Sequence, residues 1–153
     1  MRDKVLQVEI TGRMRTLKIF TDGASRGNPG PAGIGAVVIN GREIEISQSI
    51  GIATNNVAEY KATIIALQKA IELKAEAVEI YSDSELLVRQ LKGIYKVRDK
   101  ELLNLWEKTH KLLQRFKAYS INYIPREDNR RADRLARQAI NKLKTTGHSG
   151  HRL

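Results

Sequence analysis

LKIFTDGASRGNPGPAGIG, residues 17–35, decides how the rest of this 153-residue chain is arranged. Leu17, Ile19 and Thr21 alternate with Lys18, Phe20 and Asp22, the period-two pattern of a strand. The pattern then breaks into Gly23, Gly27, Asn28, Pro29, Gly30 and Pro31, which predicts a loop. On this reading Asp22 stands where the strand ends. Glycine permits close approach of another backbone, and the two prolines stiffen the loop. The stretch therefore predicts either a hairpin turn with a solvated Asp22 or an acid held on a rigid edge beside an open surface.

Working outward, residues 32–40 read as a strand rich in Val and Ile, and Gly41 marks a turn. Residues 42–52 alternate Ile44, Ile46 and Ile50 with polar neighbours, so three sequential strands form a meander. At Thr54 the period changes. Val57, Tyr60, Ile64, Leu67 and Ile71 recur at helical spacing as far as Lys74, with Asn55 or Asn56 as the expected cap. Glu59 falls in the first turn of this helix, and Ala62, Thr63, Ala66 and Ala70 would let it lie close to a sheet.

Residues 77–82 predict a short apolar strand, followed at once by Asp83 and a helix carrying Leu86, Leu87 and Leu91. A crossover connection would make this strand parallel to the one before Asp22, with both carboxyl ends on one side of the sheet. Ligands of open α/β sheets bind on that side. Beyond Gly93, Leu102, Leu105, Trp106, Thr109, Leu112, Leu113 and Phe116 stripe a helix over 99–117, with His110 at its boundary. A strand over 119–124 ends at Pro125, and REDNRR opens a last helix in which Ala132, Leu135, Ala136, Ala139, Ile140 and Leu143 face inward.

Each later acid has a structural alternative. Asn56 with Glu59, and Ser82 with Glu85, have the spacing of capping boxes. Asp133 can pair with Arg137 at i,i+4, an interaction worth about 0.3–0.5 kcal/mol.

Composition narrows the function classes. Hydrophobic residues make up 41% and charged residues 29%, as in a soluble globular domain. No apolar run approaches the ~20 residues of a membrane span, and no signal-peptide pattern opens the chain. A cytoplasmic protein without membrane association is the expectation, which the absence of cysteine permits. The net charge of +10 favours polyanionic partners through counterion release, and nucleic acid leads that class. His148 and His151 alone give only a weak zinc signal. The expected division is an N-terminal extension over 1–16, one domain over 17–143 and a basic, mobile tail over 144–153.

TDGASRGNPGPAGIG, TNNVAEYKA, IYSDSELLVRQLKG and IPREDNRRADRLA follow one another in the order and at the intervals of a known family. Over residues 17–142 the chain resembles type 1 ribonuclease H, in the short form without a basic protrusion that archaeal and some bacterial members have. The resemblance implies an α/β, ribonuclease H-like fold with a five-stranded mixed sheet, its first three strands antiparallel and its helices on both faces. It places the four catalytic, metal-binding carboxylates on Asp22, Glu59, Asp83 and Asp133. Clustered acids repel one another unless cations neutralise them, and hard oxygen donors suit Mg2+ or, as a substitute, Mn2+. The implied activity is two-metal endonucleolytic hydrolysis of the RNA strand of an RNA/DNA hybrid, giving 5′-phosphate and 3′-hydroxyl ends.

By the same resemblance Gly23, Ala24, Asn28, Asn56 and Asn129 contact the hybrid, alongside Glu59 in its minor groove. Arg26, Lys96, Arg98, Arg126, Arg130 and Arg131 are candidate phosphate contacts, which carry no sequence information. Two departures stand out. Only KGIYKVRDK fills the interval where some members carry a basic helix and loop, and IPREDNRR lacks the histidine that many carry before the last acid. Arg126 stands there instead, and a permanent cation cannot serve as a general base. These differences predict lower turnover or a preference for manganese. The alternative is a hybrid-binding module with weak or lost catalysis. No obligate protein partner is expected, and the chain reads as a monomer.

Overall fold

The computed structural model describes residues 14–149, with side chains described through Asn141. Most of the expected N-terminal extension, and the last four residues of the expected tail, lie outside the described residues. Five strands, β1 (Thr16–Ser25), β2 (Gly30–Asn40), β3 (Arg42–Ala53), β4 (Ala77–Ser82) and β5 (Ala118–Tyr123), form one sheet in the order β3-β2-β1-β4-β5. The β1–β2 and β2–β3 pairs are antiparallel, whereas β1–β4 and β4–β5 are parallel. Four helices complete the fold: α1 (Asn55–Glu72), α2 (Glu85–Leu91), α3 (Lys100–Leu113) and α4 (Arg130–Ser149). The backbone of α4 thus runs past residue 143.

Side-chain alternation along the central strands explains the layering. Leu17, Ile19, Ala32, Ala36 and Val38 pack with Val57, Ala58, Tyr60, Ala66 and Leu67 of α1, and with Leu102, Leu113 and Phe116, in one buried cluster. The opposite face of β1–β3 carries α4, whose Ala132, Leu135, Ala136, Ala139 and Ile140 are buried. Gly33 and Gly35 make that contact possible. A Cβ at Gly35 would stand 2.2 Å from the Ala132 carbonyl oxygen, so a side chain there would push the helix off the sheet. The short α2 is held by polar anchors: the Tyr60 hydroxyl donates to Gln90 Oε1 (2.7 Å) and Trp106 Nε1 donates to the Gln90 carbonyl (3.0 Å). His110 lies half-buried against the Trp106 ring, where burial pushes its pKa down.

Several expectations need correction. The first strand does not end at Asp22. It continues to Ser25 because β2 pairs with it through Ser25↔Ala32, and the predicted loop shrinks to residues 26–29. The parallel pairing with β4 is what stops, at Thr21↔Ser82, leaving Asp22 beside the first position that β4 no longer reaches. The cap of α1 is Thr54, whose hydroxyl accepts from the Val57 N–H, rather than Asn55 or Asn56. Ser84 caps α2 through Leu87 N–H, so Ser82 and Glu85 form no capping box. Asp99 caps α3, which ends at Leu113 rather than at 117. In each case a nearby Ser, Thr, Asn or Asp could do the same job, and tertiary packing selected among them.

Candidate active site

Asp22, on the α4 side of β1, is 5% exposed. From the other side of the sheet, α1 brings Glu59 against it. Gly23 permits that approach: a Cβ there would lie 2.3 Å from the Ala58 carbonyl carbon and 2.4 Å from the Glu59 nitrogen. The Gly23 N–H, with β4 ended, donates instead to Glu59 Oε1 at 2.9 Å. This bond replaces the capping box with Asn56 that sequence spacing allowed. Asp83 follows β4 directly, so the register that pairs Thr21 with Ser82 carries Asp22 and Asp83 side by side.

Asp22, Glu59 and Asp83 each offer a carboxylate oxygen, and the three oxygens lie within 4.8 Å of one another. Asp133 joins them from α4 as a fourth acid on the same cleft, and its carboxyl adds to the upward push on the Asp22 pKa. Its own Oδ2 accepts from Arg137 Nη2 at 2.9 Å, so the i,i+4 pair forms and the acid still faces the site. Burial, then the charges of Glu59 and Asp83, push the Asp22 pKa far above the carboxylate range. Burial and the Asp83 charge likewise raise Glu59, against the lowering effect of the Gly23 N–H. Hard oxygen donors, crowded until two of them resist ionisation, fit divalent cations of the Mg2+ or Mn2+ type.

The four acids open into a cleft of about 630 Å³, shared with Gly23, Ala24, Ser25, Arg26, Asn55, Tyr123, Arg126, Arg137, Ile140 and Asn141. Its rim is pinned by short polar contacts. Ser25 N–H donates to Asn55 Oδ1 (2.9 Å), Asn55 N–H to Asn28 Oδ1 (2.9 Å), and Arg26 Nη2 to Asn141 Oδ1 (2.9 Å). A second cleft of about 490 Å³ adjoins at Asp133, lined also by Arg126, Glu127, Arg130 and Arg134.

Of the residues expected from sequence, Asp22, Gly23, Ala24, Arg26, Glu59, Asp83, Arg126 and Asp133 line the cleft. Asn28 reaches its edge through Asn55, and Asn56 is exposed in the first turn of α1. Lys96 and Arg98 are exposed in the segment between α2 and α3, and neither lines the cleft. Arg131 is turned away, held by Glu45 (2.6 Å) and Glu43 on β3. Asn129 is 2% exposed and points into the protein rather than to the cleft surface. Sequence reasoning missed Tyr123, Asn55 and Asn141 as lining residues. Tyr123 is an exposed aromatic ending β5, and its partner at Ser82, one residue before Asp83, was visible only once the sheet had formed.

A five-stranded mixed sheet with four carboxylates at the carboxyl edge of its parallel pair, reached by helices from both faces, defines a class of α/β proteins built to hold divalent cations. Residues 20–139 match the family model described as reverse transcriptase-like. Ribonuclease HI of Halobacterium salinarum is 40% identical over 139 residues, 89% of this chain and 68% of that protein. The chain belongs to the ribonuclease H family. A bifunctional protein of Mycobacterium tuberculosis is 44% identical over 126 residues, 80% of this chain but 35% of that protein, so the chain spans about a third of that relative's length. Among solved structures, LC11-RNase H1 in complex with an RNA/DNA hybrid superposes with a TM-score of 0.77 at 42% identity, covering 83% of this chain and 98% of its own. No helix among the described residues is long and apolar enough to cross a membrane.

Proposed function

We propose that this protein hydrolyses the RNA strand of RNA/DNA hybrids endonucleolytically, leaving 5′-phosphate and 3′-hydroxyl ends with little regard to sequence. The observation that carries the reading is the convergence of Asp22, Glu59 and Asp83 within 4.8 Å, with Asp133 beside Asp22 in one open cleft. Asp22 would be shared, with Glu59 and Asp83 holding a cation on one flank and Asp133 on the other. When bound, two Mg2+ ions, or Mn2+ in their place, supply Lewis acidity to both the attacking and the leaving oxygen. The chain's own part is positioning and charge. Gly23 N–H fixes the Glu59 carboxylate, Arg137 fixes that of Asp133, and the permanently charged Arg126 sits where phosphate charge must be neutralised.

Substrate choice requires contact with the 2′-hydroxyl, the feature that separates RNA from DNA. The Ser25–Asn55–Asn28 rim and the exposed Asn56 supply donors and acceptors beside the acids. Arg126, Arg130 and Arg134, without an ion-pair partner among the described residues, offer guanidinium groups to phosphates, as expected of a contact that grips without reading sequence. The enzyme acts as a monomer in the cytoplasm.

The deciding experiment incubates an end-labelled RNA/DNA hybrid with Mg2+ or Mn2+, beside RNA/RNA and DNA/DNA duplexes. Cutting of only the hybrid's RNA, abolished in Asp83→Asn, is the expected result. Hybrid binding without cutting under either metal would replace this reading with a binding module. Arg126→Ala should lower turnover at least tenfold while the parent works better with manganese than magnesium. Full magnesium activity that the substitution leaves untouched would remove Arg126 from the mechanism.

A further inference from the structure

Asn129 touches three of the four acid-bearing segments, and none of those contacts is with solvent. It is 2% exposed, held between β1, the start of α2 and the start of α4. Its Nδ2 donates to the Thr21 carbonyl (2.8 Å), the peptide that leads into Asp22, and to Asp83 Oδ2 (3.0 Å). Its own carbonyl accepts the Asp133 N–H at 3.1 Å, the first helical bond of α4. The turn of Arg126–Asp128 just before it sets this position, through Asp128 N–H to the Pro125 carbonyl and Asn129 N–H to the Arg126 carbonyl, both 2.9 Å.

The orientation of the amide follows from its partners. Thr21 O and Asp83 Oδ2 are both acceptors, so only the NH2 group can face them. The Oδ1 is left buried without a partner among the described residues, as is Thr21 Oγ1 nearby. An unpaired buried acceptor is destabilising, and an apolar side chain would remove it. Leucine or methionine of similar volume would avoid that penalty but could not bond a backbone carbonyl and a carboxylate at once.

We infer that Asn129 is a positioning residue for the metal-binding carboxylates: its side chain ties Asp83 to the backbone that leads into Asp22, at the foot of the turn that carries Asp133. It works from behind the site, in place of the substrate contact expected from sequence. With Oδ2 engaged by Asn129, the orientation of the Asp83 carboxylate is restrained from the protein side. Asp22 and Asp83 belong to different strands whose pairing stops one residue earlier, so a side-chain tie is what holds them in fixed relation past that point. The inference deepens the proposed function, and its test does not depend on cleavage.

Mn2+ affinity, measured by calorimetry without nucleic acid, is compared for the parent, Asn129→Ala, Asp83→Asn and the double variant, with thermal unfolding of each. Loss of a partner that orients a metal ligand lowers affinity by about 10- to 100-fold. The expected result is a loss of that size in Asn129→Ala but less than twofold in the Asp83→Asn background, because residue 83 then no longer offers the carboxylate that the tie positions. Equal losses in both backgrounds, in step with the lowered Tm, would overturn the inference and leave Asn129 a packing residue. Asn129→Leu, of similar volume but without the donor, gives the same comparison should the alanine variant unfold. In cleavage assays kcat should fall with the hybrid KM within about twofold of the parent, whereas a raised KM with unchanged kcat would return Asn129 to the substrate surface. Failure of the parent to cut hybrid would overturn the proposed activity alone, since the affinity comparison is made without substrate.

Discussion

Asp22 shows how one side chain can be unfavourable for folding and yet stand at the centre of a candidate site. Its pKa, and that of Glu59, lie above the ordinary carboxylate range in the folded state because both are buried beside other acids. In the unfolded chain both ionise near pH 4. The folded protein therefore binds more protons than the unfolded one across neutral pH, and the contribution of these groups is full at low pH and lost as pH rises through their folded values. In EDTA, Tm should fall between pH 5 and pH 8. Asp22→Asn should flatten that fall and raise Tm at pH 8, and millimolar Mg2+ should raise Tm in the parent but much less in the variant. A parent Tm that is flat over this range in EDTA would show that the acids are not crowded in solution. The acids themselves could be read from sequence, because Asp22, Glu59, Asp83 and Asp133 sit in motifs of recognisable order. The competing capping boxes, Asn56 with Glu59 and Ser82 with Glu85, could be dismissed only by the observed partners, Gly23 N–H for Glu59 and Thr54 and Ser84 as the caps.

At the scale of elements, the site depends on how closely two helices approach the sheet. Gly23 admits α1 from one side, and Gly33 and Gly35 admit α4 from the other. Gly23→Ala forces a Cβ into backbone atoms of Ala58 and Glu59, which no rotamer change relieves. Overpacking of this kind costs about 1–3 kcal/mol. We expect that loss in chemical denaturation, together with at least a tenfold drop in hybrid cleavage, since Glu59 moves with α1. Unchanged stability and activity would show that α1 has slack at this contact. Element types were legible from hydrophobic period: all five strands and four helices lie where alternation or 3.6-residue spacing put them. Their ends were less so. β1 runs three residues past its expected end because β2 supplies ladder partners that no local signal announces.

For the whole molecule, charge is distributed unevenly around the cleft. Arg131 and Arg137 are neutralised by Glu43, Glu45 and Asp133, whereas Arg126, Arg130 and Arg134 have no ion-pair partner among the described residues and flank Asp133 together. A polyanion bound there releases counterions, about one for each phosphate neutralised. Hybrid KM should therefore rise steeply with salt, and Arg130→Gln with Arg134→Gln should reduce the log–log slope by about 2. Lys111→Gln, on an exposed turn of α3, should leave the slope alone. An unaltered slope in the double variant would place the nucleic acid elsewhere.

The sequence by itself determined the α/β class, the antiparallel meander followed by parallel strands, and the setting of four acids in motifs of recognisable order. These follow from local period, residue type and motif order, all of which are properties of the chain read in one dimension. Only the tertiary structure decided that Asp22 lies beyond the end of a strand pairing rather than of a strand, that Arg131 is spent on β3, and that Tyr123 joins the cleft. It alone turned Asn129 inward. Those outcomes depend on which segments meet across 46 to 108 positions of sequence, as between Asn129 and Asp83 or Thr21, and such meetings are chosen by packing of the whole core rather than by any stretch of it.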